Sequence, residues 1–464
     1  SDASASITLV DGNAAENKSL HIDGSKLTSS TSVFTVTAVA EDDGLISITG
    51  GAGNDSLTIS GGTETDHGDT VNGGAGNDTI LFSNGDLTKT DVIDGGAGTD
   101  TIGGTDDGTT VVDADFTGVT NVEEFAMGAV DEQLTLTLGA QAAEAGIVKV
   151  YLQDDTAIDT VTVGSDFSNN LTVDLDADAG SDGKENIVSA SAFTNNLTVT
   201  AADSDIDNGD SGISTLTGGS GTDTLELTVG GNAVTAEDMT AFTNFETIKI
   251  VGTTANASIT LNETNATYTD ASDYQTLTID GSSLTTGVLT LNASGEDDAK
   301  IIIKGGGAID VITLDSSANF GSSVTGGAGN DRFIIDTSGD LTSIDSIDGG
   351  AGTADSLELM ATGGTTVTDG NFTNVTNVEQ INSDGGTDAE LTATLGAQAD
   401  EAGINTININ GDAASSITLT SDFDNDLAIS LTDAAVNDTI DGSASSAALT
   451  ITATDANDVS ATDV

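Results

Sequence analysis

The stretch GGAGNDTILF, Gly73 to Phe82, sets three glycines within four positions, then an Asn-Asp pair, then a run of strand-forming residues. Near-copies begin at Gly50, Gly95, Gly218 and Gly326. Glycines at the first, second and fourth positions permit positive φ and leave no side chain at the bend, so backbone carbonyls can turn toward a common centre. A carboxylate follows each bend: Asp55, Asp78, Asp100, Asp223 and Asp331. Calcium is a hard cation that takes about six to eight oxygens at ~2.3–2.6 Å. One Asp per turn plus the carbonyls of two successive turns would supply such a cage. The expected ligands are those five aspartates and Asp355, with the turn backbone at Gly50, Ala52, Gly73, Ala75, Gly95, Ala97, Gly218, Ser220, Gly326 and Ala328. The turn before Asp355 carries an extra residue, Ala354, which should weaken its site. The copy at Gly305, GGGAIDVITL, departs from the pattern and is left out of the ligand set.

Two acidic loops stand apart from these turns. DLDADAGSDGKE places Asp174, Asp176, Asp178, Asp182 and Glu185 at loop positions 1, 3, 5, 9 and 12, the register of an EF-hand loop. Its glycine falls at position 7 instead of 6, and no helices flank it. A calcium site and a solvated acidic loop both remain open there. DSDIDNGD, from Asp203, begins the same way and lacks the Glu at position 12.

Signs of catalysis are weak. GDSG at Gly209 resembles the nucleophile turn of trypsin-like proteases, but the only histidines are His21 and His67 and there is no cysteine. No HExxH or GxSxG motif is present. Paired carboxylates of the kind a glycosidase needs are abundant, but the chain has 12 Phe, 3 Tyr and no Trp to form sugar platforms.

The elements that must position these turns are strands. The 464 residues contain no proline, 36% apolar residues and only 3% aromatics. A core must therefore come from Val, Ile, Leu, Ala and Thr, which suit a pleated surface. Segments such as LTLTL and LTVTA alternate at period two, as strands do. A short helical corner is expected at Leu138 to Ile147 (LGAQAAEAGI) and in its copy at Leu395 to Ile404, bracketed by glycines. No apolar run approaches the ~18 residues of a membrane helix. The formal charge of −67, from 76 acidic and 9 basic residues, opposes unassisted binding of nucleic acid or anionic lipid. Either cations neutralise it inside the fold or a solvated acidic surface works in high salt; the glycine-aspartate turns favour the first.

Self-comparison organises the whole chain. NASITL at Asn256 echoes SASITL at Ser4, and TLGAQADEAGI at Thr394 echoes TLGAQAAEAGI at Thr137. The chain is a tandem duplication, 1–256 and 257–464. Within it Gly50, Gly73 and Gly95 are 23 and 22 residues apart, and Gly326 and Gly349 are 23 apart. That is one coil of a two-strand solenoid per 22–23 residues. The recurrent TNVE or TNFE turns at Asn121, Asn244 and Asn377 are read as closing the coil that each GGxGTD turn begins. The fold expected is all-β, a calcium-stapled parallel β-roll or β-solenoid in tandem repeats with very little helix.

GGAGNDSLT and GGAGNDTIL resemble the glycine-rich nonapeptide of RTX (repeats-in-toxin) proteins, GGxGxDxUx. The nonapeptides of that family typically run back to back, whereas here only one edge of the coil carries the motif. Thr-rich strands with sparse GGAGTD and TNVE elements look most like RTX-type surface-layer (S-layer) proteins of Gram-negative bacteria. The resemblance implies calcium-dependent folding after type I secretion and assembly on the cell surface. The expected function is a non-enzymatic structural protein of an extracellular lattice or filament. The alternative is an adhesin or carbohydrate-binding segment of a larger RTX protein, with cell-surface polysaccharide as partner. Self-association is expected to be head-to-tail: ALTITATDAN at Ala448 aligns with NLTVTAADSD at Asn196, no counterpart of GGSGTDTLEL follows it, and ASITL at Ala5 offers a matching strand. Neither nucleic acid nor membrane insertion is expected.

Overall fold

The computed structural model describes residues 3–13, 18–40, 44–59, 68–83, 85–127, 133–152, 158–175, 186–206, 214–265, 276–296, 299–314, 321–335, 341–360, 364–383, 390–410, 413–432 and 438–453. It forms two compact units, Ser1–Leu225 with Ala241–Phe245, and Glu226–Thr240 with Glu246–Val464. The changeover falls between residues 225 and 246, ahead of the 256/257 boundary read from the sequence repeat. Each unit is a parallel β-solenoid, all-β apart from short helical corners.

In the first unit one face stacks Ala5–Thr8, Phe34–Thr37, Ser56–Ile59, Thr79–Phe82, Thr101–Gly104, Glu124–Ala126, Lys149–Tyr151, Leu171–Asp174 and Leu197–Ala202, every pair parallel. Two further ladders complete its coils. One runs from Ser19–Asp23 through Leu45–Thr49, Thr70–Ala75 and Val92–Ala97 to Val119–Thr120. The other runs from Thr109–Val111 to Phe242–Thr243. The second unit repeats the plan. Ala257–Thr260, Leu289–Asn292, Val311–Thr313, Arg332–Ile335, Ser356–Leu359, Gln380–Ser383, Thr406–Ile409, Leu427–Leu431 and Leu449–Ala453 form one continuous ladder.

Period-two alternation sets the register. Leu57 pairs with Ile80 and Ile80 with Ile102, so equivalent residues of successive coils lie in columns. All three are fully buried, as are Val150, Val173 and Val199 further along the face. Phe82 points inward with Ile80, as the alternation of TILF requires. Each such side chain taken from water contributes about 1.5–3 kcal/mol, and a one-residue slip would turn a whole column outward. Aromatic rings fill the wider corners; Phe167 and Phe193 lie 5.8 Å apart between ring centroids.

The expected helical corners are present as Ala140–Ala145 and Ala397–Ala402. Gly146 and Gly403, at φ 113° and 103°, end them in the left-handed conformation. Asp113 holds the first helix from the preceding coil, accepting the N–H groups of Gly139 at 2.8 Å and Ala142 at 2.9 Å. Asp369 does the same for Gly396 and Ala399. Three 3-10 turns, Asp113–Gly118, Asp238–Ala241 and Asp369–Phe372, were not foreseen from the sequence.

Candidate functional site

The aspartates of the glycine turns are interior residues. Asp55 and Asp78 are 2% and 1% exposed, and Asp100, Asp223, Asp310, Asp331 and Asp355 are fully buried. Each stands two residues before a core apolar residue, as Asp78 before Ile80 and Asp331 before Phe333, so strand alternation turns the carboxylate inward with the core.

There it replaces the strand ladder at a corner. Asp55 Oδ1 accepts the backbone N–H of Phe34 at 2.7 Å. Asp78 Oδ1 accepts that of Asp55 at 2.7 Å, and Asp100 Oδ1 that of Asp78 at 2.8 Å. Glu123 Oε2 closes the run on the N–H of Asp100 at 2.9 Å. The second unit repeats the series: Asp310 on Leu289, Asp331 on Asp310, Asp355 on Asp331 and Glu379 on Asp355. Asp223 accepts from Leu197. A buried N–H at each corner thereby gains the acceptor that it needs. The extra Ala354 does not displace Asp355 from its rung.

The second carboxylate oxygen has two fates. In Asp55, Asp223 and Asp310 it accepts the N–H of the second glycine of its own turn, Gly51, Gly219 or Gly306, at 2.5–2.6 Å. In Asp78, Asp100, Asp331 and Asp355 the Oδ2 atom is buried with no hydrogen-bond donor. These four are the turns whose second glycine has positive φ: Gly74 at 107°, Gly96 at 105°, Gly327 at 108° and Gly350 at 94°. The first glycine is needed for space. A Cβ on Gly73 would lie 2.5 Å from Asp78 Oδ2 and closer still to the Gly95 carbonyl of the next coil.

Burial raises the pKa of these groups. Asp78 and Asp331 are pushed up to about 6, first by loss of water and further by the neighbouring aspartates of the stack, with the accepted N–H opposing. Asp100, Asp223, Asp310 and Asp355 move the same way for the same leading reason. Asp78, Asp100, Asp331 and Asp355 thus each present a desolvated carboxyl beside another acidic side chain.

The TNVE element is a variant rung of this same edge, one coil after the GGxGTD turn, and so closes the coil which that turn begins. Thr120 pairs with Asp94 and Glu124 with Thr101, so the turn at Asn121 stacks directly on the one at Gly95. It spans 4 residue steps (120 to 124) where its neighbour spans 7 (94 to 101), and it makes the tighter bend with left-handed Asn121 at φ 52°. Asn244 and Asn377 do likewise at 59° and 53°. The longer Glu123 side chain then reaches the N–H that an Asp reaches elsewhere. Asn121 Nδ2 also donates to Asp94 Oδ1 at 2.7 Å, and Asn377 Nδ2 to Asp348 Oδ1 at 2.7 Å.

Sequence reading missed part of the site. Asp310, in the turn set aside as degraded, holds a full rung. A second acidic column has no glycine signature: Asp69 on the N–H of Ile46, Asp91 on that of Asp69, and Asp345 on that of Ser322, at 2.8–3.0 Å. Asp159 on Leu134, Asn186 on Asp159 and Asp438 on Ser415 follow the same rule. The signal shared by both columns is an Asp two residues ahead of an inward apolar strand residue, as in DTV at Asp69 and DVI at Asp91. Asp69 is pushed up to about 7, first by burial and then by Asp91 and Asp86.

Backbone amides of the glycine turns bond to neighbouring coils. Ala52 N–H donates to Leu27 O, Ala75 N–H to Gly51 O, Gly76 N–H to Ala97 O, Ser220 N–H to Phe193 O and Ala328 N–H to Gly306 O. Asp174 pairs with Lys149 at 2.8 Å and accepts from Thr200 Oγ1. Asp176, Asp178, Asp182 and Glu185 lie outside the described residues. Among the described residues no group of three or more His, Cys, Asp or Glu is gathered for a metal ion. In kind, the edge fits a hard cation: its spare donors are buried carboxylate oxygens set against glycine carbonyls. In number, only the Asp78, Asp100, Asp331 and Asp355 rungs of this edge leave a carboxylate oxygen without a donor.

Compared with protein-family models, curated proteins and solved structures, the chain matches none. No helix among the described residues is long and apolar enough to cross a membrane.

Proposed function

We propose that this chain is a non-enzymatic structural protein of an extracellular lattice or filament, of the RTX type, whose folding and self-association depend on Ca²⁺. One observation carries the reading: a repeated column of buried carboxylates, four of them with an Oδ2 that meets no donor, in a chain of net charge −67. Burying an ionised carboxylate without a counter-charge costs several kcal/mol. A divalent cation supplied outside the cell would offset that cost at every coil. Calcium prefers all-oxygen donors, and carboxylate and carbonyl oxygens are what this edge offers. Binding that exists only in the folded chain adds to its stability by mass action, which suits a protein secreted unfolded by a type I route into calcium-rich surroundings. The chain's own repetition supports the structural role, since each coil exists to stack on another.

Far-ultraviolet circular dichroism during a calcium titration tests the proposal. The spectrum should change from disordered in chelator to β-rich in millimolar calcium. A β-spectrum that persists in chelator, with metal analysis showing no retained calcium, overturns it.

A further inference from the structure

The outward face of the second unit carries a cleft of about 350 Å³ whose lining side chains are all polar. Its floor is a single register row across four coils: Glu358 pairs with Asn382, Asn382 with Asn408, and Asn408 with Ser430. Asn410 and Thr432 form its rim and bond to each other. The row is fixed by its own hydrogen bonds. Asn408 Nδ2 donates to Asn382 Oδ1 at 2.7 Å, and Asn382 Nδ2 donates to Glu358 Oε1 at 2.8 Å. Ser356 Oγ, at 2.8 Å, and Arg332 Nε, at 3.3 Å, converge on the same Oε1. Glu358 is only 6% exposed although it sits on the outward side of its strand. These bonds orient both amides and leave Glu358 Oε2 and Asn408 Oδ1 as acceptors at the cleft.

The duplication supplies an internal control. By sequence alignment the first unit places Gly103, Ala126, Tyr151 and Asp174 where the second has Glu358, Asn382, Asn408 and Ser430. The core residues between them stay apolar: Ile102, Phe125, Val150 and Val173 against Leu357, Ile381, Ile407 and Ile429. In the first unit the row is spanned by Lys149, whose Nζ lies 4.1 Å from the Tyr151 ring centroid and 2.8 Å from Asp174. The same scaffold thus carries an ion-paired, ring-covered row in one copy and an open, pre-oriented polar row in the other.

We infer that this cleft is a binding site for an uncharged, hydroxyl-rich ligand, a saccharide unit of a surface polysaccharide. The size falls in the range of small-molecule sites, roughly 300–1,000 Å³. Amides and hydroxyls each present donors and acceptors, matching the paired hydroxyls of a sugar ring. The one carboxylate is already partnered by Arg332, so neither an anion nor a cation finds a complementary charge. The site is independent of the calcium reading; it gives the polysaccharide partner a definite place on the second unit.

The test is calorimetric titration of the full chain, in calcium, with methyl glycosides of glucose, galactose, mannose, rhamnose and N-acetylglucosamine. At least one should bind with 1:1 stoichiometry. Asn408→Tyr, the residue the first unit carries there, and Asn382→Ala should each weaken binding about tenfold or more, as loss of a ligand hydrogen bond and its orienting partner does. Circular dichroism of both variants should match the unaltered chain; if Asn408→Tyr does not fold, Asn382→Ala and Ser430→Ala decide the matter. Absence of binding by every glycoside, or affinity unchanged in the folded variants, overturns the inference, and neither result bears on calcium-dependent folding.

Discussion

The carboxylate of Asp78 accepts the backbone N–H of Asp55 at 2.7 Å across 23 residues of sequence, one full coil. That bond makes the aspartate of the glycine turn a structural acceptor. Asp78→Ala leaves the Asp55 N–H buried without a partner, which costs about 1–3 kcal/mol. Asp78→Asn keeps an acceptor and removes the charge. In chelator, urea unfolding should therefore rank Asp78→Asn at or above the parent chain and Asp78→Ala below both. Equal losses in the two variants would refute the rung.

The second acidic column predicts a pH dependence of defined sign. Asp69 titrates near 7 when folded against 3.8 ordinarily. A raised folded value means that its contribution to stability is complete below about 4 and is lost as pH rises through 7. Without calcium, the folded state should weaken between about pH 4 and 7. Asp69→Asn should flatten that slope and recover up to about 4 kcal/mol at pH 8, one pKa unit being worth about 1.4 kcal/mol. Asn186 already fills such a rung in the ladder from Thr109–Val111 to Phe242–Thr243, accepting the N–H of Asp159. A slope unchanged in Asp69→Asn would remove Asp69 as its source.

The left-handed asparagines predict an order among substitutions. At Asn121, φ 52°, glycine adopts the bend freely, whereas alanine pays about 1–2 kcal/mol. Both lose the bond to Asp94. Thermal unfolding should place Asn121→Gly above Asn121→Ala. The same order should hold at Asn377, and a reversed order at either site would contradict the turn geometry.

How much of this was legible in the sequence follows from what spacing can and cannot encode. The 22–23-residue interval and the alternation in TILF determine a parallel solenoid, because only stacked coils bury Ile80 and Phe82 at once. Gly139 and Gly146 bound the helical corner for steric reasons that act locally. Spacing does not say whether Asp78 faces an ion or an amide, since both partners want an oxygen at the same point. Asp310 escaped because the turn was judged by its glycines, while the rung depends on Asp310 preceding inward Ile312 by two residues. Asp69 and Asp91 escaped for the same reason. The cleft escaped because Glu358, Asn382, Asn408 and Ser430 lie 24, 26 and 22 residues apart and become neighbours only through strand register.

The proposed self-association has a specific candidate edge. Ala5–Thr8 and Ala257–Thr260 are both ASIT. The second is paired on both sides, with Ala233–Val234 and Leu289–Asn292, and is half buried. Among the described residues the first pairs with Phe34–Thr37 alone, and it is largely exposed. An unpaired strand edge is a template for another chain. Removing residues 1–12 should leave a calcium-responsive, folded chain whose assembly, followed by light scattering in calcium, is abolished. Assembly at the parental rate would exclude this edge.

The central claim is that calcium offsets the buried negative charge of the glycine-turn column. Its most direct measurement is thermal unfolding at pH 7.5, in chelator and in millimolar calcium, of the parent chain and of the Asp78→Asn/Asp331→Asn double variant. Calcium should raise the parent's midpoint strongly and the double variant's clearly less, because two of the four donor-free Oδ2 atoms are then neutral amides. An equal calcium response in the two proteins, or none in the parent, would contradict the account.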